Sequence, residues 1–147
     1  MKRLALLSGV AALFGLASAS ASADIILVHI FNFDYSINPE GEPIEDPIIN
    51  IGDTIRWILD EGHHTVTSVQ GIPEVFDSGM MTDKGQTFEH TFTNVGTWWY
   101  YCEPHGFDNG NGTASGMAGT VTVQVPEPST VVALAAGGLL LLKRRRR

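Results

Sequence analysis

Gly96-Thr97-Trp98-Trp99-Tyr100-Tyr101-Cys102-Glu103-Pro104-His105 is the stretch on which the reading turns. Thr97 to Cys102 is an unbroken run of β-branched, aromatic and thiol side chains. Asn94-Val95-Gly96 opens it as a turn, so it predicts a short strand. Successive strand side chains take opposite faces. Trp98, Tyr100 and Cys102 therefore share one face, expected to pack the core, and Trp99 and Tyr101 share the other. The strand ends by presenting a cysteine, with a histidine three residues further on.

Similar short runs flank it on both sides. Ile25 to Phe33 is almost continuously β-prone, as in a strand buried on both faces. Ile48 to Ile51 and Thr54 to Leu59 flank the turn dipeptide Gly52-Asp53, which predicts a bend or hairpin. His64 to Val69, Thr87 to Thr93 and Thr120 to Val125 follow. In the last, Val121, Val123 and Val125 alternate with Thr122 and Gln124. Asn38-Pro39, Asp60-Glu61-Gly62 and Asp83-Lys84-Gly85 punctuate the runs, and no segment holds a helical period over three turns. So many short strands in so short a core predict an all-β, two-sheet β-sandwich.

The ends read differently. Residues 1–23 begin with Lys2 and Arg3, continue with an apolar run from Leu4 to Ala17, and close on Ala21-Ser22-Ala23. That is a secretory signal peptide, with a mature start expected at Asp24. Residues 126–147 hold Pro126-Glu127-Pro128, an apolar stretch from Val131 to Leu142, then Lys143 and four arginines. At about 1.5 Å per residue the stretch covers about 18 Å of a ~30 Å hydrocarbon core, enough for a transient membrane stop. These three parts in order resemble a PEP-CTERM sorting tail. The resemblance implies processing by an exosortase in a Gram-negative bacterium. It also implies delivery through the periplasm to the cell surface or extracellular matrix.

The chain of 147 residues is 44% hydrophobic and 17% charged, which excludes a mostly disordered polymer. Its formal charge of -7 hides a segregation. The ends carry seven basic residues against Glu127 alone. Residues 24–125 keep only Arg56 and Lys84 against fifteen acidic residues, a net of -13. A nucleic-acid interface would need a basic face and is not expected. A partner with a basic docking face is expected.

A lone cysteine in an exported chain is paired between chains, free and reactive, or bound to a metal. Here Cys102 is followed by His105 and, beyond a Gly/Asn-rich segment, by Met117 in Gly116-Met117-Ala118-Gly119. Thiolate and thioether suit copper, and imidazole serves both its oxidation states. A second histidine, supplied by the pair His63-His64, completes a His₂Cys set with a weak axial methionine. Structural zinc would want more cysteines. A Cys-His nucleophilic dyad leaves Met117 and the second histidine without a role. His29, His90, Met80 and Met81 read as packing or cross-strand residues.

With these residues in place the core resembles the cupredoxins, specifically the plastocyanin/pseudoazurin-like branch. The matching stretches are Gly52 to Trp57, His64 to Ser68, Phe76 to Gly79, Phe88 to Phe92, Gly96 to His105 and Gly116 to Val123. The resemblance implies a Greek-key sandwich with one copper ion held by His64, Cys102, His105 and Met117 at one end. His64 is preferred over His63 because the family places a small polar residue and then an aliphatic after the ligand, as in Thr65-Val66. The implied function is one-electron transport by a monomeric blue copper protein with a redox protein partner, and no enzymatic activity. A copper-sequestering surface protein and a metal-free matrix module are the alternatives. One departure stands out. Residues 106–116, with four glycines and two Asn-Gly pairs, are longer than the family's simple loop and are expected to be a mobile excursion. Water, a backbone oxygen or Glu103 would then compete with Met117.

Overall fold

The computed structural model describes residues 22–126; the leader up to residue 21 and the tail from residue 127 lie outside the described residues. Eight strands follow in order: β1 Ile25–Phe31, β2 Asp34–Ser36, β3 Ile48–Asn50, β4 Thr54–Leu59, β5 Thr67–Ser68, β6 Thr87–Thr91, β7 Gly96–Asp108 and β8 Ala114–Gln124. They form two four-stranded sheets, β2-β1-β4-β6 and β3-β8-β7-β5. Both sheets are mixed, since β1 runs parallel to β4 and β3 parallel to β8. The expected two-sheet sandwich is therefore present, with no helix among the described residues.

The core follows from alternation. Ile55, Trp57 and Leu59 point inward from β4 and are fully buried, while Thr54, Arg56 and Ile58 are only half-buried. Val121 and Val123 do the same from β8, and Tyr100 and Cys102 from β7. Trp57 sits at the centre, with ring centroids of Tyr100, Phe76 and Phe88 at 5.4, 5.5 and 5.7 Å. Aromatic pairs at such separations add about 0.5–1.5 kcal/mol each beyond the area they bury.

Three expectations are corrected. β1 is not buried on both faces: Ile25 and Leu27 are exposed while Val28 and Ile30 are fully buried. Among the described residues nothing covers the outer face at Ile25 and Leu27, so apolar continuity in the sequence does not mean two-sided burial. Of the bend or hairpin expected at Gly52-Asp53, the structure has the bend and not the hairpin. β3 lies in one sheet and β4 in the other, so the turn crosses the sandwich. Gly52 takes φ +95°, and the Asp53 carboxylate accepts the amides of Asn50 (2.8 Å) and Asp24 (2.9 Å). The third concerns residues 106–116. β7 and β8 continue through them as a paired ribbon, with Gly106 opposite Gly116 and Asp108 opposite Ala114. A register shift between Tyr101 and Gly106 starts the ribbon, and the Asn109–Thr113 turn closes it. Asp108 then pins it to the sandwich by accepting the Gln70 amide at 2.7 Å.

Parallel pairing of β1 and β4 brings their C-terminal ends to one pole. The turn at residues 32–33, the 60–66 segment, the end of the main β7 pairing and the start of β8 meet there. The chain enters at Asp24 and leaves after Gln124 at the other pole, where Ile51 N–H bonds the Gln124 carbonyl.

Candidate metal centre

The pole is built from segments that the sheets place and backbone bonds fix. His64 lies outside the regular strands in an isolated bridge to Met81, each donating its amide to the other's carbonyl (3.2 and 2.9 Å). The expected strand from His64 is thus shortened to Thr67–Ser68, and the bridge fixes the His64 backbone in its place. Cys102 closes the main run of β7, fully buried. Pro104 follows within the register shift, and His105 comes out on the exposed side.

Three donor atoms converge. His64 Nδ1 and His105 Nδ1 are 3.1 Å apart, Cys102 Sγ is 3.5 Å from His64 Nδ1, and 3.3 Å from His105 Nδ1. A point in the plane of this triangle is about 1.9 Å from all three atoms, close to the ~2.0–2.3 Å of metal–imidazole and metal–thiolate bonds. Two neutral nitrogens and one soft sulfur are also the donor chemistry that suits copper. The residues therefore fit the ion that the sequence implies. Among the described residues this is the one cluster of three or more such donors.

Burial pushes the Cys102 thiol above its ordinary pKa, opposed by the Thr65 and His105 amides. Burial also lowers that of His64, and the neighbouring His105 adds to the effect. A buried neutral imidazole is the form a metal needs. The Thr65 amide points at the sulfur from 3.4 Å, while Thr65 Oγ1 accepts the Glu103 amide at 2.9 Å. Tyr35 donates its hydroxyl to the Thr65 carbonyl at 2.5 Å, locking this residue beneath the cysteine.

Met117 is buried in the same apolar cluster as Cys102, at the start of β8. His63 is exposed, and Met80 is half exposed while Met81 joins the core. His29 bonds Asp60 (2.6 Å) and His90 bonds Glu74 (2.8 Å), each tying its strand to a residue outside the strands. The sequence reading passes over Asn32 and Phe33. Asn32 Oδ1 lies 2.8 Å from His64 Nε2, and the Phe33 ring packs 4.9 Å from that of His105. Both fall in the run expected as the first strand, but β1 ends at Phe31 and they sit in the turn after it.

Comparison with known proteins agrees with this geometry. The family model for copper binding proteins, plastocyanin/azurin family, matches residues 45–124, and that for the PEP-CTERM protein-sorting motif matches residues 124–147. Amicyanin of Paracoccus denitrificans is 41% identical over 64 residues, covering 42% of this chain and 49% of that protein. Halocyanin of Natronomonas pharaonis is 35% identical over 78 residues, covering 52% of this chain and 44% of that one. The chain thus spans about half the length of these two relatives. Amicyanin of Paracoccus versutus is 34% identical over 97 residues, covering 64% of this chain and 67% of that protein. Among solved structures, a methionine-to-glutamine mutant of amicyanin with Cu(I) superposes with a TM-score of 0.51 at 30% identity, covering 68% of this chain and 82% of that one. The fold is that of the cupredoxins, and the chain belongs to the plastocyanin/azurin family of copper-binding proteins.

Proposed function

We propose that this is an exported type 1 copper protein that carries single electrons, in which His64, Cys102 and His105 would be the strong ligands and Met117 a weak fourth. The observation that supports this best is the triangle of two imidazole nitrogens and one sulfur at the end of a sandwich. Bound there, copper would supply a Cu(II)/Cu(I) couple. The chain's own residues do the rest. The His64–Met81 bridge and the end of β7 hold the donors together before any ion arrives, so little rearrangement accompanies a change of charge. The Thr65 amide favours negative charge on the sulfur. His105 is the exposed member of the three, so a redox partner approaches closest there. Residues 1–23 act as leader, 24–125 as the copper domain and 126–147 as the sorting tail. The tail touches the membrane transiently before exosortase processing at the surface of a Gram-negative cell. The domain works as a monomeric carrier and not as an enzyme.

The test is to load the purified protein with Cu(II). One ion per chain and an intense visible thiolate-to-copper band are expected; a colourless or weakly absorbing complex would overturn the reading. Because residues 24–125 carry a net of -13, electron exchange with a basic protein donor is expected to slow as ionic strength rises through 0.1 M, where the Debye length is about 10 Å. A rate insensitive to salt would remove the basic partner. No exchange at all would leave copper storage as the function.

The ribbon gives a second prediction. A Cβ at Gly116 would stand 2.6 Å from the His105 carbonyl oxygen and 2.8 Å from Gly106 Cα, and Gly116 has φ +78°. A Cβ at Gly106 would meet the Met117 carbonyl at 2.7 Å. The two strands cross here too closely for any side chain, and the residues squeezed are the proposed ligands' own backbones. Gly116→Ala is expected to weaken copper binding at least tenfold and to destabilise the apo protein by about 2 kcal/mol or more. Gly110 has a similar φ of +73° with nothing within 4 Å, so Gly110→Ala isolates the backbone strain. Equal effects of the two variants on copper affinity would show that the close crossing is irrelevant to the site.

A further inference from the structure

We propose that Asn32 is a positioning residue for the metal centre: its side-chain oxygen accepts the Nε2–H of His64 and so leaves Nδ1 unprotonated toward Cys102 and His105. A neutral imidazole carries one proton on one of two nitrogens, and the partner of one nitrogen decides what the other can do. His64 is fully buried, so water cannot supply that partner. Asn32 Oδ1 is 2.8 Å from Nε2, while Nδ1 faces the other two donors at 3.1 and 3.5 Å. With the proton on Nε2 the hydrogen bond forms and the Nδ1 lone pair is free. With the proton on Nδ1, the bond to Asn32 Oδ1 is lost unless the amide turns to offer its NH₂, and an N–H occupies the direction a metal needs. The placement of Oδ1 against Nε2 therefore favours the first arrangement, and the ligand is prepared in the apo chain.

Gly62 supplies an independent second observation. A Cβ there would collide with both Asn32 Oδ1 and His64 Nε2, the latter at 2.5 Å. The hydrogen bond thus occupies the volume a side chain at position 62 would fill. The Gly62 backbone, at φ +78°, already favours glycine. The end of β1 and the segment after β4 are also stitched together. The Ile30 carbonyl accepts the Asp60 and Glu61 amides (2.9 and 3.4 Å), and the Asn32 amide donates to Glu61 Oε1 (3.2 Å). Asn32 lies in an exposed turn, yet its amide is delivered inward by this stitching.

Only the consequence for copper rests on the function proposed above; the tautomer is a property of the apo chain. Two variants separate the possibilities. Asn32→Leu keeps a similar shape and removes the acceptor; Asn32→Asp keeps an acceptor. In ¹⁵N-labelled apo protein, at a pH where the ring is neutral, His64 is expected to carry its proton on Nε2 in the parent and in Asn32→Asp. In Asn32→Leu it is expected to shift toward Nδ1. Copper(II) affinity, measured against a competing chelator, is expected to fall about 10–100-fold in Asn32→Leu and to recover in Asn32→Asp. Apo melting curves show whether either variant has lost its fold. A parent His64 protonated on Nδ1 overturns the inference whatever the variants do. So does an Asn32→Leu protein with unchanged tautomer and affinity. If the parent takes up no copper, the proposed function falls, and the tautomer measurement still decides the role of Asn32.

Discussion

The Cys102→Ser variant is expected to fold and to lose the intense visible band of the copper-loaded protein completely. Cys102 is the one cysteine of the chain, so no other thiolate can replace it. Its Sγ is within 3.5 Å of both imidazole nitrogens, and the Thr65 amide points at it. In the apo chain burial holds the thiol above its ordinary pKa, so the proton leaves when a cation takes its place. A serine hydroxyl is far less acidic and is a hard donor, so it supplies neither the charge nor the softness that Cu(I) prefers. Removing an outer hydrogen-bond partner of a metal ligand costs about 10–100-fold in affinity; removing this ligand is expected to cost more than the upper end of that range for Cu(I). The apo fold should be nearly unaffected, because the hydroxyl inherits the Thr65 amide as a partner. An apo melting temperature within a few degrees of the parent and a colourless copper complex are the expected pair of results. A band that survives in Cys102→Ser would show that the sulfur is not a ligand.

How far the sequence reaches into this structure depends on what carried the information. Thr54 to Leu59 is readable to the residue, because Thr54, Ile55, Arg56 and Trp57 alternate polar and apolar between one open and one covered face, and only Ile58 departs from the pattern. Cys102 and His105 are readable because they follow the strand end at fixed spacing, and their convergence with His64 appears in the donor triangle. β1 misleads, because a continuous apolar run says nothing about whether a second layer covers the outer face. β2 escapes notice, since three residues, Asp34–Ser36, carry no period. Residues 106–116 are misread for a physical reason. Glycine suggests freedom when seen in one strand, yet Gly106 and Gly116 are opposite each other and serve close approach. That pairing is a property of two segments. The same holds for Asn32 and Gly62, whose meaning exists only once His64 lies between them.

The largest stability loss is expected far from the metal centre, in Glu74→Ala. Glu74 is 2% exposed, and its carboxylate gathers five hydrogen bonds. Oε2 receives His90 Nε2 at 2.8 Å. Oε1 receives the amides of Thr93 and Asn94 (2.9 and 2.6 Å), the Asn94 side chain (2.8 Å) and the Thr93 hydroxyl (3.3 Å). One side chain thus ties the segment after β5 to β6 and to the turn that starts β7, the strand whose middle holds Cys102. Alanine would take this acceptor away from half-buried His90 and Asn94 and from Thr93, which is exposed. Losing a charged acceptor shared by five hydrogen bonds costs about 3 kcal/mol, which for a domain of about 100 residues lowers Tm by roughly 12 °C or more. Burial alone would raise the Glu74 pKa, but the His90, Asn94 and Thr93 bonds together hold it below the usual 4.5. A carboxylate depressed in the folded state stabilises fully above its unfolded pKa, and that contribution is lost as pH falls through the folded value. The stability gap between the parent and Glu74→Gln is therefore expected to be constant from pH 7 to about 5 and to narrow below about 4.5. A gap that stays constant down to pH 3 would mean the charge is not what the cluster holds. A Tm loss under about 4 °C in Glu74→Ala would mean that the donors find water, and that the turn before β7 is held by its backbone alone.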